Sequence, residues 1–121
     1  MVDRVTEDVE NAVLTAAASG IMMQIRSLGG AMADIPADRT AFANRTQPEL
    51  IIGTVFHRTD TGHLDRAWAQ LAPSLSGAYA NFETRPTPAT TRLAFPEDTT
   101  RRLHEIKERY DPQSVFRPWP L

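Results

Sequence analysis

Tyr79 and Asn81 are the two residues whose types and spacing best suit chemistry in this chain. They lie in a short segment of mixed character, and in an extended segment residues two apart project to the same side. The phenol is a possible proton acceptor, and the amide both donates and accepts hydrogen bonds. The pair therefore predicts a small polar site, with a purely structural role for Tyr79 as the alternative.

Arg26 and Arg45 are the candidate substrate-binding residues. A guanidinium group presents several N–H donors in a geometry that matches a carboxylate or a phosphate. Either arginine could therefore bind a substrate carboxylate or a cofactor phosphate. An ion pair on the surface, or between domains, is the alternative for both.

Composition excludes several classes of site. The chain has no cysteine, so disulfides, thiolate catalysis and cysteine-based metal sites are excluded. His57, His63 and His104 lack metal-ligand spacing, and no metal site is predicted. The formal net charge of −2 offers no concentrated basic face for nucleic acid.

The sequence contains no run of about 18 apolar residues that could span a bilayer. Acidic side chains dominate the N-terminal residues, which is the wrong charge for a secretory signal. We therefore expect a cytoplasmic protein with neither a membrane nor a nucleic acid as a partner.

Hydrophobic periodicity predicts a helix over residues 5–17, capped by Thr6 or Asp3 and ended by the Ser-Gly pair at 19–20. Residues 21–28 read as a strand stopped by Gly29-Gly30, and residues 49–57 read as the best strand because their core is short, β-branched and aromatic. A second helix carries the stripe Leu64, Trp68, Leu71 and Leu75.

A last helix is predicted from Pro96 to Tyr110, with Leu103, Ile106 and Tyr110 facing inward. The Pro- and Thr-rich segment 83–91 is predicted to be irregular. Fold class is thus α+β, a small antiparallel sheet packed against about three helices in one domain spanning residues 1–121. Since a sheet needs about three strands or a covering layer, we expect further strands in residues 39–45 and 77–85, a sheet completed by another chain, or both.

Several motifs occur along the chain in a recognisable order. They are Arg26-Ser27-Leu28-Gly29-Gly30-Ala31, Thr40-Ala41-Phe42-Ala43-Asn44-Arg45, Gly77-Ala78-Tyr79-Ala80-Asn81-Phe82, Arg92-Leu93-Ala94-Phe95 and the run from Arg102 through Tyr110-Asp111-Pro112 to Phe116-Arg117. This series, over roughly residues 21–117, resembles the C-terminal, substrate-side region of the berberine-bridge-enzyme group of FAD-linked oxidoreductases.

The resemblance implies a partial substrate domain of a flavin oxidase, with FAD as the cofactor. In that family the Tyr-x-Asn segment lies beside the flavin ring and the substrate. It therefore implies Tyr79 as a catalytic base and Asn81 as a cofactor-binding residue. Phe82 stands where some relatives place a tyrosine base, so that variant of the mechanism is not expected here.

Nothing in the sequence matches the FAD-binding domain of such an enzyme, so activity of the chain by itself is left open. One expectation is a substrate-side portion that is inactive alone and works on a small organic substrate with a flavin-binding domain or subunit in trans. A second is a folded but inactive gene remnant. A third is a non-catalytic α+β homodimer that binds a ligand or a partner, since apolar strand 49–57 at a sheet edge would favour self-association.

Overall fold

The computed structural model describes residues 1–56 and 61–116. These residues form four α-helices and a two-stranded antiparallel sheet, so the predicted α+β class is confirmed. In chain order the elements are α1 (Glu7–Ala18), β1 (Met22–Ser27), β2 (Glu49–Thr54), α2 (Gly62–Leu71), α3 (Pro88–Ala94) and α4 (Glu97–Tyr110). Short 3₁₀ turns cover Gly30–Met32, Ala72–Ser74 and Ala80–Phe82.

The sheet pairs β1 with β2 so that Ile25 lies opposite Ile51. At the other edge of β2, the Val2 N–H donates to the Glu49 carbonyl at 3.0 Å, which forms an isolated bridge. The expected further strands in residues 39–45 and 77–85 are absent from these described segments, so that part of the prediction is wrong.

The Asn44 side chain explains why residue 78 does not join a strand. Its Nδ2 donates to the carbonyls of Ala78 and Leu93, at 2.8 and 3.0 Å. The Ala78 N–H in turn donates to the Leu93 carbonyl at 3.1 Å. The backbone groups of residue 78 are therefore bonded to a side chain and to α3.

Apolar residues pack on both faces of the sheet. On one face α1 and α2 contribute Val9, Ala12 and Leu71, which pack with Ile51 and Val2. On the other face Leu50, Ile52 and Met1 form a cluster, against which Leu28, Phe42 and Tyr79 pack. The strands thus place Tyr79 and Phe42 on the face opposite the two helices.

Helix α1 begins directly after Thr6, one of the two predicted capping residues, and ends at the predicted Ser-Gly pair. The Thr6 hydroxyl accepts from the Val9 N–H at 3.4 Å, and the acidic first turn suits the positive end of the helix dipole. Gly20 follows with φ of +88°, a conformation that favours glycine. The chain can therefore turn directly from α1 into β1.

Helix α3 lies partly in the segment that the sequence predicted to be irregular. Thr87 and Thr90 form a capping box, and Pro88 occupies the first turn, where its missing N–H costs nothing. The two threonines replace the usual Ser or Thr and Glu, and the helix spans only Pro88–Ala94. A short helix with a Pro- and Thr-rich start resembles a connector in sequence, so periodicity could not find it.

Helix α4 forms as predicted, but its apolar side is not inward. Ile106 is 43% exposed and Tyr110 is 73% exposed, so their predicted burial is wrong. Leu103 is half-buried. Periodicity identifies an apolar stripe but not what covers it, and no residue of α4 is buried within the described part of the chain.

Asp111 ends α4. Its carboxylate accepts from the Lys107 ammonium at 2.5 Å and from the backbone N–H groups of Val115 and Phe116, at 2.8 and 3.2 Å. The hydrogen bond from Lys107 contributes most to lowering the pKa of Asp111. The residues that follow α4 are thereby bent back over its last turn.

Of the helices in residues 1–56 and 61–116, none is long and apolar enough to cross a membrane.

Candidate functional site

Three aromatic side chains, Phe42, Tyr79 and Phe82, form a cluster on the sheet face opposite α1 and α2. The Tyr79 ring meets Phe42 and Phe82 edge-on, with centroids 5.1 and 5.5 Å apart. Edge-to-face packing is the arrangement that aromatic rings prefer. We call these three residues the aromatic cluster; it fixes the position of the Tyr79 ring from both sides.

Tyr79 and Asn81 come together, but through a turn and not through the extended segment that the sequence predicted. The Asn81 Nδ2 donates to the Tyr79 hydroxyl oxygen at 3.0 Å. Tyr79 has an extended backbone, whereas Asn81 lies in the 3₁₀ turn Ala80–Phe82. The phenol therefore accepts one hydrogen bond and keeps its own O–H available, while its catalytic role stays a prediction.

Arg26 lies at the edge of the aromatic cluster. Its guanidinium carbon is 5.2 Å from the centroid of the Phe82 ring, and Nη2 donates to Gln24 Oε1 at 3.1 Å. In the described segments of the chain, no carboxylate forms an ion pair with Arg26. Its remaining donors point to solvent and are suited to an anion.

Arg45 occupies the opposite end of the aromatic cluster, with its guanidinium carbon 4.9 Å from the centroid of the Phe42 ring. Its Nε donates to the Phe42 carbonyl at 3.0 Å, and Nη1 to the Met32 carbonyl at 3.3 Å. Nη2 donates to the Thr40 hydroxyl at 2.5 Å. These bonds fold the loop between β1 and β2 around Phe42, and substrate binding by Arg45 stays a prediction.

A pocket of about 400 Å³ lies between β2, α2 and the segment that carries Tyr79. Its lining includes the apolar side chains Leu50, Ile52, Trp68, Tyr79, Phe82 and Leu93. This volume falls within the range of about 300–1,000 Å³ typical of small-molecule sites. Tyr79 thus belongs both to the aromatic cluster and to a pocket wall.

An ion pair between Asp65 and Arg85 spans the pocket lining, joining α2 to the segment before α3. The hydrogen bond from Arg85 lowers the pKa of Asp65, and the same bond raises the pKa of Arg85. Both groups remain partly exposed, so the pair adds little to stability. The ion pair mainly fixes the position of α2 relative to the segment before α3, and both of these line the pocket.

The α-amino group of Met1 lies at the same pocket and donates to the Gly77 carbonyl at 2.6 Å. Burial lowers the pKa of this amine from 8.0 to about 6, although nearby Asp3 partly opposes the change. The amine is therefore mainly neutral at pH 7.

This burial predicts a pH dependence of stability for the chain with a free α-amino group. Between pH 8 and 6 the unfolded chain binds more protons than the folded one, so stability falls as the pH is lowered through that range. We expect a loss on the order of 1–2 kcal/mol, measured by urea unfolding at the two pH values. The N-acetylated chain is the control, because it lacks the titrating group; equal pH slopes for the two forms would contradict the assignment.

Sequence reasoning missed the pocket, although it found Tyr79 and the stripe that includes Trp68. No local pattern connects Asp65 with Arg85, which lie twenty residues apart on different elements. His57 falls outside the described residues. Elsewhere in the described ranges, no group of three His, Cys, Asp or Glu residues is placed to hold a metal ion.

The chain was compared with known protein families. Residues 78–118 match the family model described as berberine and berberine like. The resemblance of this chain to a berberine-like C-terminal region is therefore confirmed, and the matched segment includes the Tyr79–Asn81 pair, α3 and α4. Comparison with curated proteins gave no match.

Proposed function

We propose that this chain, with its berberine-like C-terminal region, is the substrate-side portion of an FAD-dependent oxidoreductase and works with a flavin-binding domain or subunit in trans. The observation that carries the proposal is the Tyr79–Asn81 pair. The phenol oxygen and the amide are 3.0 Å apart within the segment that matches the family. Families of this kind are generally FAD-linked, and Tyr79 lies in the lining of a pocket.

The chemistry proposed for these residues is proton transfer. A bound flavin would supply the acceptor for the two electrons and the hydrogen that leave the substrate carbon as hydride. Tyr79, in its phenolate form, would take the proton from the substrate hydroxyl as that hydride leaves and would become the neutral phenol. The Asn81 N–H, which already points at the phenol oxygen, would stabilise the phenolate before the transfer.

Arg26 is the second contributor that we propose. Its guanidinium is exposed beside Phe82 and has no ion-pair partner among the described acidic side chains. It could therefore bind a phosphate of the cofactor or an anionic group of the partner at the rim of the aromatic cluster. The Arg45 donors are used by the loop that holds Phe42, so we propose that Arg45 positions the cluster.

The apolar side of α4 supports the need for a partner. Ile106, Tyr110, Val115 and Phe116 are exposed, with Phe116 at 77%. We call these four residues the α4 stripe. Exposed apolar side chains grouped in this way, on one helix and the segment that follows it, are typical of interaction surfaces in soluble proteins. We infer that the flavin-binding partner covers the α4 stripe, since it lies in the family-matched segment.

Complementation in trans tests the proposal. The chain is added to a berberine-like flavoprotein truncated before its own matching segment, and anaerobic bleaching of the flavin by the substrate of that enzyme is recorded. We expect the chain to restore flavin reduction that the truncated protein lacks. Failure to restore reduction, despite a measured complex, would contradict the proposal. Tight FAD binding by the chain alone would remove the need for a partner.

Replacing Ile106 by glutamate is expected to weaken this complex at least about tenfold, because a charge would be buried against the partner. The free energy of unfolding of the chain itself should change by less than about 1 kcal/mol, since Ile106 is already 43% exposed. His104→Glu, which adds the same charge on α4 outside the stripe, is the control. Equal binding by the two variants would mean that the partner does not cover the α4 stripe.

The alternative, a non-catalytic homodimer, is favoured by one observation. Ile25 is 52% exposed on β1, whose outer edge forms no backbone ladder within the described residues. Antiparallel pairing of two copies about Ile25 would place Arg26 opposite Gln24 of the second copy, which avoids opposed like charges. A mass in sedimentation that stays that of a dimer upon dilution, together with failed complementation, would favour this alternative.

A further inference from the structure

The free edge of β2 forms one side of the pocket. The Leu28 N–H donates to the Pro48 carbonyl, so in the antiparallel register Leu50 and Ile52 direct their backbone groups toward β1. The backbone groups of Glu49, Ile51 and Gly53 therefore point to the opposite edge of β2. At that edge Val2 forms a backbone hydrogen bond with Glu49 only. The backbone N–H and carbonyl groups of Ile51 and Gly53 thus border the pocket and can bond a polar group of a ligand.

Aromatic rings bound the pocket on two sides. Trp68 packs over Gly53 so closely that a Cβ on that glycine would be 3.2 Å from Trp68 Cζ3. Tyr79 and Phe82 face the pocket from the other side of the strand. A flat ring system would contact aromatic carbon on both sides, which is the type of contact that aromatic groups prefer.

The charged groups of the pocket lining already have partners within the described structure. Asp65 and Arg85 bind each other, and Glu83 Oε1 accepts from the Arg85 N–H at 2.9 Å. The Met1 amine donates to Gly77 and is mainly neutral at pH 7. An anionic ligand would lose its hydration here without gaining an ion-pair partner, because the Arg85 guanidinium is already paired with Asp65. A sugar would leave most of its hydroxyl groups against apolar carbon.

We propose that this pocket binds an uncharged aromatic or alicyclic molecule that carries a single hydroxyl or carbonyl group. The ring system lies between Trp68 and the Tyr79–Phe82 pair, and the polar group bonds the backbone edge of Ile51 and Gly53. That such a molecule is also the substrate rests on the proposed function; its binding to the chain does not.

Trp68 provides the readout. The chain contains one other tryptophan, Trp119, and Trp119→Phe leaves Trp68 as the sole donor for energy transfer. The probe is N-phenyl-1-naphthylamine, an uncharged aromatic amine, and 8-anilinonaphthalene-1-sulfonate presents the same rings with a negative charge. For a ligand of this size we expect a Kd on the order of 10–100 μM for the uncharged probe. The sulfonate should bind at least about tenfold more weakly, and cellobiose should displace neither.

Pocket-filling variants locate the probe. Ala69 lies on α2 and lines the pocket, whereas its exposed neighbour Gln70 does not. Ala69→Leu should weaken binding of the uncharged probe at least about tenfold by occupying the space, whereas Gln70→Leu should leave it unchanged. Ala72→Leu is a second filling variant if the first is poorly folded by circular dichroism.

The outcomes separate this inference from the proposed function, because no flavin is present. Unchanged binding by both filling variants would mean that the probe lies elsewhere and would overturn the assignment. Tighter binding of the sulfonate, or displacement by cellobiose, would overturn the ligand class. If the chain binds the uncharged probe as described but fails in complementation, the ligand-binding assignment of the pocket stands and the proposed oxidoreductase function is rejected.

Discussion

Tyr79→Phe is expected to slow flavin reduction in the complemented oxidoreductase at least about 100-fold, the usual contribution of a positioned general base. The substitution removes the phenol oxygen that Asn81 contacts at 3.0 Å. It keeps the ring, whose edge-on contacts with Phe42 and Phe82 hold the segment in place. The rate of flavin bleaching after anaerobic mixing measures the effect, and substrate affinity should change far less than the rate.

Tyr110 is the matched control, since it is the other tyrosine of the chain and is 73% exposed on α4. Tyr110→Phe should leave the rate of reduction unchanged and should change partner binding only slightly, because the ring is retained. Asn81→Ala should reduce the rate less than Tyr79→Phe, because it removes a supporting donor and keeps the base. Full activity of Tyr79→Phe would assign Tyr79 the structural role that its packing also supports.

The sequence predicted the elements that depend on local patterns. Helix α1 has both a capping threonine and a terminal glycine, and β2 is a short run of β-branched residues, so each was found near its observed position. Helix α3 was missed because a two-turn helix has too few residues for its period to stand out. Helix α4 was predicted correctly, but its apolar side was wrongly predicted to be buried. Hydrophobic periodicity shows that a helix has an apolar side and does not show which part of the protein, if any, packs against it.

The site was predictable to the extent that its residues are close in sequence. Tyr79 and Asn81 meet because they are two residues apart. The contact of Arg26 with Phe82 was not predicted, because the two residues are far apart in sequence and only the tertiary structure brings them together. The pocket was not predictable, since its walls come from α2, β2 and the segment before α3. Only the tertiary structure brings Asp65 to Arg85 and Trp68 over Gly53.

Asn44→Ala is expected to destabilise the chain by about 2–4 kcal/mol, one of the largest effects available outside the apolar core. Asn44 is 5% exposed, and its amide donates to the carbonyls of both Ala78 and Leu93. Without it, two carbonyls lose a partner in a region with little water. Urea unfolding followed by circular dichroism measures the loss, and the segment of Tyr79 should exchange its amide hydrogens faster.

Gln47 provides the matched control for Asn44. It is also a buried amide, but its Oε1 has no hydrogen-bond partner within the described structure. Gln47→Met should therefore change the free energy of unfolding by about 1 kcal/mol or less, in either direction. Equal losses for Asn44→Ala and Gln47→Met would mean that removing either buried amide costs the same, and that the two hydrogen bonds of Asn44 do not explain its contribution.

The contact between Asn44 and Gly77 supplies a stricter test of the same interaction. A Cβ on Gly77 would lie 2.5 Å from Asn44 Oδ1, so Gly77→Ala must displace the amide from its two carbonyls. By itself this substitution should cost nearly as much as Asn44→Ala. In the double variant the clash is gone and the hydrogen bonds are already lost, so the second substitution should add little. Additive losses in the free energy of unfolding would mean that Gly77 contributes through its backbone conformation and not through Asn44. The Asn44 amide would then not be the group that holds the segment of Tyr79 beside β2.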